Sequence, residues 1–112
     1  MGKLSKSFWT RIYNDAKKRD LVIDISIKDA WYQFEKQNEL CALTGEKLNF
    51  GKSKSDSNRT ASLDRINSKI GYIKNNIQWV HKDINKMKQN FPEDYFLELI
   101  KKVYNFKVHS PK

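Results

Sequence analysis

One cysteine, Cys41, is all the chain contains. A lone thiol forms no internal disulfide and no multi-cysteine zinc site, so no structural zinc is expected and a reducing compartment is the simpler setting. No apolar run approaches the ~20 residues of a spanning helix, and the N-terminus has no apolar segment of a signal peptide. Gly2 does not open a myristoylation signal, because Lys6 stands where that pattern needs Ser or Thr. The aromatic RNP-like and GXXG patterns of common RNA-binding modules are missing as well. A soluble chain without a membrane partner is expected.

Acidic residues are in short supply. Thirteen Asp and Glu face 22 Lys and Arg, a formal charge of +9, and such an imbalance points to a polyanionic partner rather than to any particular fold. At 112 residues the chain suffices for one modest core, burying about two-thirds of its unfolded surface, and is short for two domains. A single domain over residues 1–112 is expected, with a helical part to residue 40, a strand-loop-helix unit over 41–90, a helix over 91–106 and a frayed tail over 107–112.

Hydrophobic spacing supports that division. Phe8, Ile12 and Ala16 predict an amphipathic helix over 5–19, with Lys17, Lys18 and Arg19 at its end suited either to the helix dipole or to phosphate. After an extended connector over 21–25, Ser26 and Asp29 form an N-capping pattern, and Ile27, Ala30, Trp31 and Phe34 share a face that reads as core. Gly45 fits a tight turn, and 51–58 reads as a mobile polar loop. Alternation predicts strands over 60–66 and 77–80, with Ala61 and Leu63 opposite Ser62 and Asp64. A helix from about His81 would pack through Val80, Ile84, Met87 and Phe91. A last helix from Pro92 to Tyr104 would offer Phe96, Leu99, Ile100 and Val103 to the core.

The run SLDRINSKIGYIKNNIQWVHKDINKMK resembles the HNH, or ββα-metal (His-Me finger), nuclease family. In that family an acid-His pair is followed by Asn and then by a helical Asn or His nine residues on; here Asp64-Arg65, Asn76 and Asn85 keep that interval. The likeness covers roughly 41–88; CALTGEKL resembles the segment before the first strand in many phage-type members, and the chain looks close to a small phage-type subgroup with Asp-Arg in place of Asp-His. It implies an α+β fold, a ββα-metal finger flanked by N-terminal and C-terminal helices, in the cytoplasm of a bacterial or phage-infected cell. The implied activity is a divalent-metal-dependent endonuclease or nickase hydrolysing phosphodiester bonds in double-stranded DNA. A second reading keeps the fold without catalysis, as a DNA-binding or inhibitory module.

Hydrolysis of a phosphodiester needs charge neutralised on the phosphate, a stabilised leaving oxygen and an activated water. One Mg²⁺ or Mn²⁺ held by Asp64 and Asn85, with other positions left to phosphate and water, meets the first two needs; no small-molecule cofactor is implied. Asn76 would fix the loop through its amide. Arg65 stays protonated and cannot act as a general base. His81 is one substitute; the other is acidification of water by the ion itself, with Arg65 on the phosphate. Plainer readings make Asp64 and Arg65 a surface ion pair, His81 a helix cap, Asp83 a charge near the helix start, and His109 a solvent-exposed tail residue. Lys52, Lys54, Arg59, Lys82, Lys86 and Lys88 are the expected DNA-phosphate contacts.

Overall fold

The computed structural model describes residues 4–52 and 56–109. It is an α+β fold of four α-helices and a two-stranded antiparallel hairpin. Helix α1, Lys6–Lys18, begins where Ser5 Oγ accepts from the Phe8 N–H at 3.1 Å; Phe8 and Ala16 are buried, and Lys17 and Lys18 close its last turn. The chain then runs extended, with Ile23 in a parallel bridge to Tyr72. Gly71 permits that approach, since a Cβ there would lie 2.7 Å from Val22 Cβ and nearer still to the Val22 carbonyl oxygen.

Helix α2, Ile27–Lys36, carries the capping box that its sequence implies. Ser26 Oγ accepts from the Asp29 N–H at 3.1 Å, and Asp29 Oδ2 accepts from the Ser26 N–H at 2.9 Å. The bond from the Ser26 N–H holds the Asp29 carboxyl below its usual range; burial opposes this, and Lys74 adds to the depression. Cys41 is a small core residue whose Sγ accepts from the N–H groups of Leu43, Thr44 and His81 at 3.3–3.4 Å, next to the turn where Gly45 takes φ +77°. Burial pushes its thiol up, but these donors and the Thr44 hydroxyl outweigh it, and the net direction is down.

Strands β1, Ala61–Arg65, and β2, Ile77–His81, pair with Leu63 opposite Trp79 and Asp64 opposite Gln78. Their period of two divides the hairpin into two faces. On one face Trp79, fully buried, meets Phe8, Phe34 and Phe50 with ring centroids 5.1–6.2 Å away, and its Nε1 donates to Ala30 O at 2.8 Å. Burying one such ring is worth about 1.5–3 kcal/mol, so this cluster anchors the hairpin to the helices. Gln37 closes the outer edge of β2, its amide donating to Trp79 O at 2.9 Å and accepting from the Trp79 N–H at 2.8 Å.

The opposite face meets helix α3, Lys82–Lys88. Here the structure corrects the predicted stripe: Met87 is 54 % exposed and Phe91 42 %, whereas Lys88 is fully buried. Strand β2 runs through His81, so the helix starts one residue later than expected, and Gln89 at φ +49° ends it after seven residues. An ammonium can take the inward position because a carboxylate waits there. Helix α4, Glu93–Val103, follows Pro92 and buries Phe96, but Ile100 and Val103 stay exposed, contrary to expectation. Its first turn is fastened to the hairpin through Glu93, and the helix then leaves the core. Residues 104–108, expected to end in a frayed tail, continue it as a π-helical segment, Tyr104–Val108, with Phe106 76 % exposed. His109 is exposed, as expected. Among the described residues no helix is long and apolar enough to cross a membrane.

Candidate functional site

Among the described residues no third strand pairs with β1, and a cleft of about 600 Å³ runs beside it. All five residues of β1 line this cleft, with Asn85 on the α3 side and cations from Arg19, Arg59, Lys82 and Lys86 around them. Asp64 is its single carboxylate. The cleft is therefore strongly positive, with one anionic group on its wall.

Asp64 is 5 % exposed and already has partners. Lys88 Nζ lies 3.1 Å from Oδ2 and 3.3 Å from Oδ1, and Gln78 Nε2 donates to Oδ2 at 2.9 Å. Lys88 also donates to Arg65 O at 3.1 Å. Gln78 in turn donates to Glu93 Oε1 at 2.7 Å, which joins α4 to the site. Asn85 donates through Nδ2 to Ser62 Oγ at 2.7 Å. That leaves its Oδ1, the atom suited to a hard cation, without a hydrogen-bond donor among the described residues. Ser62 and Asp64 are two apart on β1, so Asn85 is anchored about 7 Å along the strand from Asp64.

Arg65 lines the cleft but turns its guanidinium to the loop between the strands. It is buried, donates to Ser68 O and, at 3.4 Å, to Ile70 O, reaches Asn90 Oδ1 at 3.5 Å, and lies over the Tyr72 ring. The surface pairing of Asp64 with Arg65 is thus corrected: their side chains alternate across the strand, Asp64 meeting Lys88 and Arg65 the loop carbonyls. Asn76 does what its amide suggested. Its Oδ1 accepts from the Asn67 N–H at 2.9 Å, while Nδ2 donates to Gly71 O at 2.9 Å, Asn67 O at 3.1 Å and Ile70 O at 3.4 Å.

His81 caps α3. Its Nδ1 accepts from the Asp83 N–H at 3.1 Å, and Asp83 Oδ2 lies 3.8 Å away in the first helical turn. His81 ends β2 rather than sharing a helix face with Asn85, and it does not line the cleft, so the structure does not bring it to Asp64.

Of the expected phosphate contacts, Arg59, Lys82 and Lys86 line the cleft. Lys52 is exposed elsewhere, its N–H donating to Asp56 Oδ2 at 2.8 Å, so the described part of the polar loop is tied rather than free. Lys54 lies outside the described residues. Lys88 is a correction: an ammonium with no exposed surface, paired to Asp64, contacts no phosphate. Sequence reasoning missed Gln78, which the strand register alone places opposite Asp64, and Arg11, which only the tertiary fold brings near β1; Arg19, suited on sequence to the helix dipole or to phosphate, lines the cleft.

Among the described residues no group of three or more His, Cys, Asp and Glu side chains could hold a metal. An ion with few protein ligands would have the Asp64 carboxylate, whose two oxygens already accept from Lys88 and Gln78, and the Asn85 Oδ1 to draw on, with the remainder from substrate and water. No family model, no curated protein and no solved structure matches the chain.

Proposed function

We propose that the chain is a divalent-metal-dependent DNA endonuclease or nickase of the HNH type. The observation that carries this reading is the placement of Asp64 and Asn85 on one cleft walled by Arg19, Arg59, Lys82 and Lys86. The spacing of Asp64, Asn76 and Asn85 supports it from the sequence.

In this reading Asp64 and Asn85 would hold Mg²⁺ or Mn²⁺, which would supply charge neutralisation at the phosphate and a more acidic water. Gln78 orients the Asp64 carboxylate, which Lys88 neutralises. Lys82 and Lys86 draw the backbone phosphates into the cleft beside β1. Arg65 and Asn76 act on the loop between the strands, keeping β1 in place without moving a proton.

One observation favours the second reading, a DNA-binding or inhibitory module: no imidazole lines the cleft, and a lysine already neutralises its carboxylate. Nicking of supercoiled plasmid in Mg²⁺ and in Mn²⁺ separates the two. The hydrolase reading expects open-circular product that Asp64→Ala and Asn85→Ala each reduce by about 10²-fold or more. Plasmid left supercoiled in both metals, by protein that still retards DNA in a gel, selects the second reading. Unchanged nicking by Asp64→Ala removes this site from the chemistry.

A further inference from the structure

At the end away from Asp64 the cleft merges with a pocket of about 370 Å³, which shares Arg19, Arg59 and Asn85 with it and adds Phe8, Arg11 and Asp15. Arg11 and Arg59 converge there on one ring, their guanidinium carbons 4.9 and 5.7 Å from the centroid of Phe8. Two like charges at one ring oppose each other, and a carboxylate between them would be the ordinary remedy. Asp15, the single acid in this pocket, instead sits 3.5 Å from Arg19. Arg59 Nε is buried without an acceptor among the described residues, although buried donors are nearly always satisfied. Burial, and then the charge of Arg59, push the Arg11 guanidinium below its ordinary range, although an arginine remains protonated. The pocket thus holds two facing guanidinium forks and an unsatisfied N–H, and its one carboxylate, Asp15, is paired with Arg19.

We propose that Arg11 and Arg59 form a clamp for a backbone phosphodiester of a nucleic-acid strand, a second phosphate subsite apart from the Asp64 end of the cleft. Guanidinium forks match the paired oxygens of a phosphodiester, and the anion removes the repulsion between them. Arg59 lies five residues from Asp64 along nearly extended chain, no more than about 17 Å, roughly half a turn of duplex DNA. A polymer can occupy both ends of such a cleft at once, which a free anion cannot. The clamp rests on the nucleic-acid reading of the cleft but not on cleavage.

The test is fluorescence anisotropy with a labelled 20-base-pair duplex in EDTA, from about 50 to 200 mM NaCl, the range over which phosphate contacts show. Arg11→Gln and Arg59→Gln are each expected to bind roughly fivefold more weakly, with a salt slope shallower by about 1. Lys47→Gln, which removes the same charge from an exposed side chain outside the cleft, is expected to keep the wild-type slope. Thermal unfolding supplies the structural control. Relieved of its facing cation, Arg59→Gln should melt no lower than wild type, and inorganic phosphate at constant ionic strength should raise the wild-type Tm more than that of the variant.

Arginine variants that bind as Lys47→Gln does would overturn the clamp, as would a phosphate response equal in wild type and Arg59→Gln. A phosphate response lost in Arg59→Gln, with duplex affinity unchanged, would make this a free-anion site and reject the strand. Failure to bind the duplex at all rejects it too. Because the measurement excludes metal, clamp-dependent binding by a protein that never nicks plasmid sinks only the hydrolase reading.

Discussion

Lys88 Nζ lies 3.1 Å from Asp64 Oδ2, and both side chains are shut away from solvent. A charge pair of this kind does little for net stability compared with apolar packing, but each partner makes the other tolerable. Removing one leaves a buried charge without a counter-ion. Lys88→Met is expected to cost about 3–5 kcal/mol in urea unfolding, and adding Asp64→Leu is expected to recover much of that loss. A double variant no more stable than Lys88→Met would show that the two charges are not a coupled unit.

Asn76 offers a sharper substitution than alanine. Its Nδ2 faces the carbonyl oxygens of Asn67, Ile70 and Gly71, so Asn76→Asp keeps the shape but turns a donor into an anionic acceptor against three acceptors. A loss of about 3 kcal/mol or more is expected, with faster amide hydrogen exchange over residues 66–76. Exchange unchanged in that loop would mean that the amide is not what orders it.

The capping box predicts a pH signature. The folded Asp29 carboxyl titrates below its ordinary range, first through the Ser26 N–H bond, so its stabilising share is complete above about pH 4–5 and vanishes as pH falls through the lowered folded value. Asp29→Asn should therefore be less stable than wild type by up to about 1 kcal/mol at pH 7, and the two should converge near pH 2–3. Paired thermal melts across that range check the sign. A gap that widened on acidification would assign the opposite shift.

Much of this fold is written in short-range patterns. Ser26 and Asp29 announce their helix because a capping box closes within four residues, and the alternation around Leu63 and Trp79 gives the hairpin its faces. The burial of Lys88 had no such local sign. It follows from where β2 ends, which sets the phase of α3, and from a carboxylate that only strand pairing brings opposite. At the candidate site, Asp64 and Asn85 do line one cleft, and Asn76 fixes the loop as its amide suggested. His81 was ambiguous because a single residue shifts it from helix face to cap. Arg11 carries no motif, and it comes near Arg59 because both guanidiniums meet the ring of Phe8, which packs against Phe50 and Trp79.

The ammonium of Lys88 is a counter-ion that the chain itself carries for Asp64. Many small metalloproteins collapse when stripped by a chelator, because the ion is their missing core. Here Lys88 already pairs with the one carboxylate of the cleft, so EDTA is expected to leave the melting temperature where it was.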